Sequence, residues 1–207
     1  APADVTDEQR ATITAAMDTG REQGLQVEAG GAGFGDPLVI KTTSEAIGMA
    51  AALLVLLATF GSALAAGIPL VTALLGIGLG TTGILLATHW VPLNNTTPTL
   101  AVMLGLAVGI DYALFILSRY RSELRDPQQT CEQAAARSVA TAGSAVVFAG
   151  LTVIIALVAL AIVNIPFLSY MGFAAAFTVG AAVLVALTLV PALLSLSGRR
   201  LFSRTRS

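Results

Sequence analysis

Charge is scarce in these 207 residues: only 11% are Asp, Glu, Lys or Arg, against about a quarter in soluble domains. With 56% hydrophobic residues and a mean hydropathy of +0.83, that scarcity excludes an ordinary soluble domain and points to a membrane protein. Cysteine occurs once, as Cys131, which excludes an internal disulfide and a Cys-based zinc site. Histidine also occurs once, as His89 beside the single tryptophan, Trp90. No metal site and no cofactor are expected. G-x-S-x-G and phosphate-loop patterns are absent, so the chain is expected to be neither a hydrolase nor an ATP-driven machine. A net charge of −1 and a pI near 5.8 give no reason to expect nucleic acid as a partner.

What is present falls into three parts. Residues 1–43 carry seven acids and three bases and form the one sizeable polar stretch. Thr6-Asp7-Glu8-Gln9 reads as a capping box, and Ile13, Ala16, Met17 and Gly20 then recur at helical spacing, which predicts a helix ending near Gly20 or Gly24. Leu25, Val27 and Ala29 alternate with Gln26 and Glu28 as in a half-buried strand, and 30–37 is a Gly-rich linker. One helix and one strand cannot close a core, so this part is expected to be the tail of a larger α+β domain. A flexible surface tail is the plainer alternative. The chain opens on Ala1 with no basic segment leading into an apolar one, so no signal peptide is expected and a further helix is expected upstream.

Residues 44–198 hold five apolar runs, near 45–64, 67–88, 99–119, 139–163 and 167–196, each about the 20 residues a helix needs to cross hydrocarbon. The fold class expected is an all-α polytopic membrane protein. Ala66-Gly67-Ile68-Pro69 is the expected turn between the first two runs, and His89-Trp90 the expected membrane interface after the second. Asp126 as N-cap with Pro127 after it is expected to start a short polar helix leading into the fourth run. Eight of the eleven bases lie in the 119–137 loop or in the basic tail 199–207, and the positive-inside rule puts both in the cytoplasm of a plasma-membrane protein, with the N-terminus extracytoplasmic.

The third run sets Asp111 inside hydrocarbon, where an Asp at a helix centre costs ~3 kcal/mol on insertion scales. Gly105 and Gly109 are four apart, and Tyr112 lies seven beyond Gly105, so all three fall close to one face, where small residues let another helix approach. Gly76 and Gly80 repeat the spacing in the second run. Desolvation disfavours the charged form of a carboxyl, which suits a group that exchanges protons near neutral pH. Asp111 and Tyr112 are therefore read as parts of a proton relay, Tyr112 donating to a carboxylate on a facing helix or to a bridging water. The plainer alternative makes Asp111 a neutral acid that glues helices. Apart from Arg119 at the very end of the third, the five runs hold no basic residue, so the polar partners in this chain are hydroxyls: Thr141, Ser144 and Thr152, for each of which a bond back to its own helix is the simpler role.

The run Gly109-Ile110-Asp111-Tyr112-Ala113-Leu114-Phe115-Ile116-Leu117-Ser118-Arg119-Tyr120-Arg121 closely resembles the fourth-transmembrane-helix signature of the MMPL (mycobacterial membrane protein large) family of RND transporters. Thr141-Ala142-Gly143 and Leu189-Val190-Pro191-Ala192-Leu193-Leu194 are similar to the same family, and the resemblance covers roughly 40–198. It implies a secondary transporter driven by the proton-motive force, exporting lipids or other hydrophobic molecules and built from two six-helix halves. This chain would supply helices 2–6 of one half, and residues 1–43 the end of a porter domain. The relay residues implied are Asp111 and Tyr112, completed by a second Asp-Tyr pair from the missing half. Thr152 is a candidate where some members carry a serine. Protons, membrane lipids, the cargo and the other half are the implied partners. Two other readings are a sterol-sensing-like lipid-binding module without pumping, and a chain that pairs with its own copy through the Gly105/Gly109 face.

Overall fold

The computed structural model describes residues 6–28, 42–90 and 96–198, the side chains of 42–46 excepted. The expected linker 30–37, Asn94 and Asn95 of the loop before the third run, and the basic tail 199–207 lie outside the described residues. The chain divides into two units, 1–40 and 41–207.

In the first unit, α1 (Asp7–Glu22) starts on the Thr6–Gln9 capping box, Gln9 N–H donating to Thr6 Oγ1 and Thr6 N–H to Gln9 Oε1. It stops where Gly24 takes φ +80°, a left-handed conformation that suits glycine. The strand expected from Leu25 onward is not formed: residues 25–28 are irregular. The Val27 carbonyl accepts from Arg21 Nε and Nη2 at 3.2 and 3.0 Å, so this backbone is satisfied by a side chain of α1, not by a neighbouring strand. An α+β remnant is therefore not supported, and α1 buries none of its residues.

Among the described residues the regular structure of the second unit is helical: α2 (Thr42–Phe60), α3 (Ala63–Ala87), α4 (Thr96–Glu123), α5 (Cys131–Val158) and α6 (Pro166–Ser197), with a 3-10 turn over Ala159–Val163. Among the described residues, four helical stretches are long and apolar enough to cross a membrane: Ala63–Ala87, Thr96–Glu123, Cys131–Val163 and Pro166–Ser197. The apolar part of α2, Ile47–Phe60, is shorter.

Two expected boundaries move, each for a local reason. The first turn falls at Gly61, not at Ala66–Pro69: Gly61 takes φ +68° and its N–H closes α2 on the Leu57 carbonyl. Pro69 is accommodated inside α3. The polar helix expected from Asp126 starts later, at Cys131, and is the first part of α5. Asp126 instead accepts from Gln128 N–H in a tight turn, and α5 starts on a second reciprocal capping box, Thr130 with Gln133, running unbroken from polar loop into apolar span.

α6 is the hub, packed on α3, α4 and α5, while α4 also packs on α3 and α5. Its contact faces are small: Ala174, Ala175, Thr178, Ala182 and Ala186 are buried on α6. The ends of α2, α4 and α6 and the start of α5 share one end of the bundle. Tyr120, fully buried on α4, donates to the Leu194 carbonyl of α6 at 3.2 Å. At the other end, His89 and Trp90 are exposed with ring centroids 6.3 Å apart.

Candidate functional site

α4 presents two different faces. On one, Gly105 and Gly109 are buried against α3 and α6. A Cβ on Gly109 would stand 3.1 Å from Ala73 Cα, and one on Gly105 would stand 2.6 Å from Thr178 Cγ2. Gly76 and Gly80 meet the same partners from α3: a Cβ there would stand 3.2 Å from Ala182 Cα and 2.6 Å from Thr178 Cγ2. The four glycines thus bring three helices to one junction. The face expected to receive a second copy of the chain is occupied by the chain's own α3 and α6, which leaves no room there for a copy.

The other face is open. Met103, Ala107, Asp111, Phe115, Ser118 and Ser122 recur every three or four residues and are all exposed, as one stripe along a helix. Asp111 is the ionisable group in that stripe. It lies twelve residues, or ~18 Å at helical rise, from the end of α4 at Glu123.

Asp111 also lines a groove of about 350 Å³ between α4 and the end of α2, together with Thr59, Phe60, Leu114, Phe115, Ser118 and Arg121. Arg121 closes the groove: its Nη1 donates to the Thr59 carbonyl at 3.0 Å, and its guanidinium lies 5.9 Å from the Phe60 ring centroid. A cation at the C-terminal end of α2 meets carbonyls that the helix leaves unsatisfied there, which is favourable.

Tyr112, about 100° round from Asp111, is half-buried and turned toward α5. A Cβ on Gly150 would lie 3.6 Å from Tyr112 Cε2 and 3.7 Å from its hydroxyl, ordinary contact distances that place the ring against α5. Asp111 and Tyr112 therefore look toward different neighbours. Thr152 is brought to neither: it is exposed, some 200° beyond Gly150 on α5, and donates to the Phe148 carbonyl at 2.8 Å. Thr141 and Ser144 also bond back, to the carbonyls of Arg137 and Thr141.

Below the stripe the chain is ionic. Arg119 pairs with Glu123 at 2.8 Å and donates through Nε to Thr141 Oγ1 at 3.1 Å. Gln129 Nε2 donates to Glu123 Oε2 at 3.3 Å. Sequence reasoning used Arg119 and Arg121 as topology markers and missed both contacts. For Arg119 the available signal was spacing, since Glu123 follows it by four residues on one helix.

The family model for MMPL matches residues 2–207. The chain belongs to the MMPL family. Among curated relatives it is 48% identical over 184 residues to membrane protein YdfJ of Bacillus subtilis, an alignment covering 89% of this chain and 25% of that protein. It is 37% identical over 165 residues to the mycolic acid-containing lipids exporter MmpL11 of Mycolicibacterium smegmatis, covering 78% of this chain and 17% of that protein. With the heme uptake protein MmpL11 of Mycobacterium tuberculosis it shares 39% identity over 155 residues, 74% of this chain and 16% of that protein. The chain spans a quarter or less of the length of these relatives. As an MMPL chain of the RND superfamily it is a multi-pass membrane protein, and some of its relatives are named for transport.

Proposed function

We propose that this chain is part of a proton-motive-force-driven transporter that exports lipids or other hydrophobic molecules, and that protonation of Asp111 couples the proton gradient to movement. The position of Asp111 carries the reading: an ionisable group on the open face of a membrane-length helix, where charge is too costly to leave against lipid. A facing segment outside this chain, bearing the second Asp-Tyr pair, completes the relay. Tyr112 serves it from the α5 side, and Thr152 has no step. The glycine junction holds α4 to α3 and α6, so that a change of charge at Asp111 moves the open face and not the packed one.

The basic end of the bundle is proposed to be cytoplasmic and residues 1–43 extracytoplasmic, because Arg119, Arg121, Arg125 and Arg137 gather at that end and the tail adds four more arginines. Lipid is the proposed cargo because one relative is named as a lipid exporter. Heme, named for another, is the second cargo to assay.

Vesicles containing the intact transporter test the mechanism. Asp111→Asn is expected to reduce export to the level seen when the gradient is collapsed, Asp111→Glu to keep part of it, and Tyr112→Phe to slow it while gradient dependence remains. Unchanged, gradient-dependent export by Asp111→Asn sinks the reading. A lipid-binding module without pumping is the second reading. It is favoured by an apolar groove of about 450 Å³ between α3 and α6, lined by Gly83, Ile84, Ala87, Tyr170, Phe173, Ala174 and Phe177. Lipid binding that persists with no response to the gradient would select it.

A further inference from the structure

We propose that Arg119 and Arg121 are positioning residues: from one turn of α4 they fasten α5 and α2 as the two rims between which the segment facing Asp111 is received, while Tyr120 between them ties that turn to α6. The inference rests on the reading that such a segment completes the relay. It adds to that reading what holds the opening in shape.

Three consecutive residues reach three different helices. Arg119 Nε donates to Thr141 Oγ1 of α5 at 3.1 Å, the Tyr120 hydroxyl to the Leu194 carbonyl of α6 at 3.2 Å, and Arg121 Nη1 to the Thr59 carbonyl of α2 at 3.0 Å. Helical geometry explains the division. At about 100° per residue, Tyr120 stands about 180° from Asp111, on the packed side, while Arg119 and Arg121 stand about 80° to either side of it. The exposed stripe is thus flanked by a guanidinium on each edge, one reaching to α5 and the other to α2. The same turn gathers stretches that the transport reading leaves without a task. Ser118-Arg119-Tyr120-Arg121, Thr141-Ala142-Gly143 and the run 189–194 are far apart in sequence, and they meet here.

Stability is a poor account of these arginines. Arg119 pairs with Glu123 at 2.8 Å across one helical turn, with its side chain 45% exposed, and a pair of that kind adds little. What the pair fixes is direction. A planar guanidinium held at Nη2 by Glu123 presents Nε along a set line, here toward Thr141, whose own proton goes to the Arg137 carbonyl at 2.8 Å. Gln129 Nε2 holds Glu123 in turn, at 3.3 Å, and so ties in the loop that leads to α5. On the other rim α2 is gripped near its last turn: Leu56 and Phe60 are buried, whereas Ile47, Leu54 and Val55 are exposed. Arg121 meets that turn twice, through the Thr59 carbonyl and over the Phe60 ring, where a helix end favours a cation.

Rim separation in the intact transporter, with native cysteines including Cys131 replaced, tests the role. Nitroxide labels on Val55→Cys of α2 and Ser144→Cys of α5, both exposed and each one turn from its anchor, report the distance across the opening by pulsed electron resonance. Export into vesicles is measured beside it. Arg119→Gln and Arg121→Gln are each expected to shift or broaden that distance and to lower gradient-driven export about tenfold, the scale of coupling carried by residues away from a site. Arg121→Lys, which keeps a cation and a donor at the end of α2, should restore the parent distance and most of the export. Arg119→Lys should not, because one ammonium cannot hold Glu123 and Thr141 along two fixed lines. Should the glutamine variants fail to fold, Thr141→Val removes the α5 anchor alone and should move the rims in the same sense. Rims that stay in place in these variants, or that move with export intact, overturn the proposal. Failure of the relay reads differently. Lost export in Asp111→Asn with unmoved rims in the arginine variants removes the positioning role alone, whereas full export in Asp111→Asn leaves the rims no proton step to serve and overturns both.

Discussion

Single atoms decide the α3–α4–α6 junction. Glycine in a helix interior costs about 1 kcal/mol relative to alanine, so each of these glycines is retained against propensity, and contact distances sort those that pack from those that do not. Gly109→Ala sets a methyl 3.1 Å from the Ala73 backbone, which a side-chain rotation cannot relieve. It is expected to lower stability in detergent by ~1–3 kcal/mol, the usual range for overpacking. Gly78, two residues from Gly76 on the same helix, is exposed with nothing near its missing Cβ, so Gly78→Ala is expected to be neutral or to gain up to ~1 kcal/mol. Thermal unfolding followed by circular dichroism checks the pair, and equal effects would refute the junction. The four-residue spacing of Gly105/Gly109 and Gly76/Gly80 was legible in the sequence. The helix filling each gap was not, because spacing defines a small face without saying whether it meets the same chain or another.

Helix ends depend on which of several competing local signals satisfies the most backbone groups. Between α4 and α5 the sequence offers Asp126-Pro127 and Thr130-x-x-Gln133 as starts. Thr130 and Gln133 satisfy two amides reciprocally, while Asp126 is used up on Gln128 N–H. Thr130→Ala is therefore expected to destabilise the start of α5 by ~1 kcal/mol, read as faster hydrogen exchange of the first-turn amides of α5. Asp126→Ala should leave those amides unchanged, since its side chain caps the turn alone. The α2–α3 boundary follows the same logic: Gly61 supplies the left-handed residue that ends α2, and Pro69 then falls inside α3, at the cost of one intrahelical hydrogen bond. Hydropathy revealed that these helices exist, but it is blind to such competition. The missing strand at 25–28 failed for a related reason, because alternation marks a face only where a second strand is there to pair.

For the whole molecule, membrane character followed from 11% charge and long apolar runs, since hydrocarbon leaves a backbone few options besides the helix. Orientation needs more, because charge in sequence and charge in space must agree. They do agree at the basic end: the close of α4, the start of α5 and the close of α6 come together there, Gly198 standing beside Cys131 with 3.7 Å from its missing Cβ to Sγ. Arg119, Arg121, Arg125 and Arg137 thus share an end with the start of the arginine-rich tail. Translocating that cluster would oppose the bias that sets topology, so it is expected to stay in the cytoplasm. Gln128, exposed in the α4–α5 turn, is the place to ask. With the other cysteines replaced, Gln128→Cys in the intact transporter should react with an impermeant maleimide in inverted vesicles and be protected in right-side-out cells. The opposite pattern would reverse the orientation.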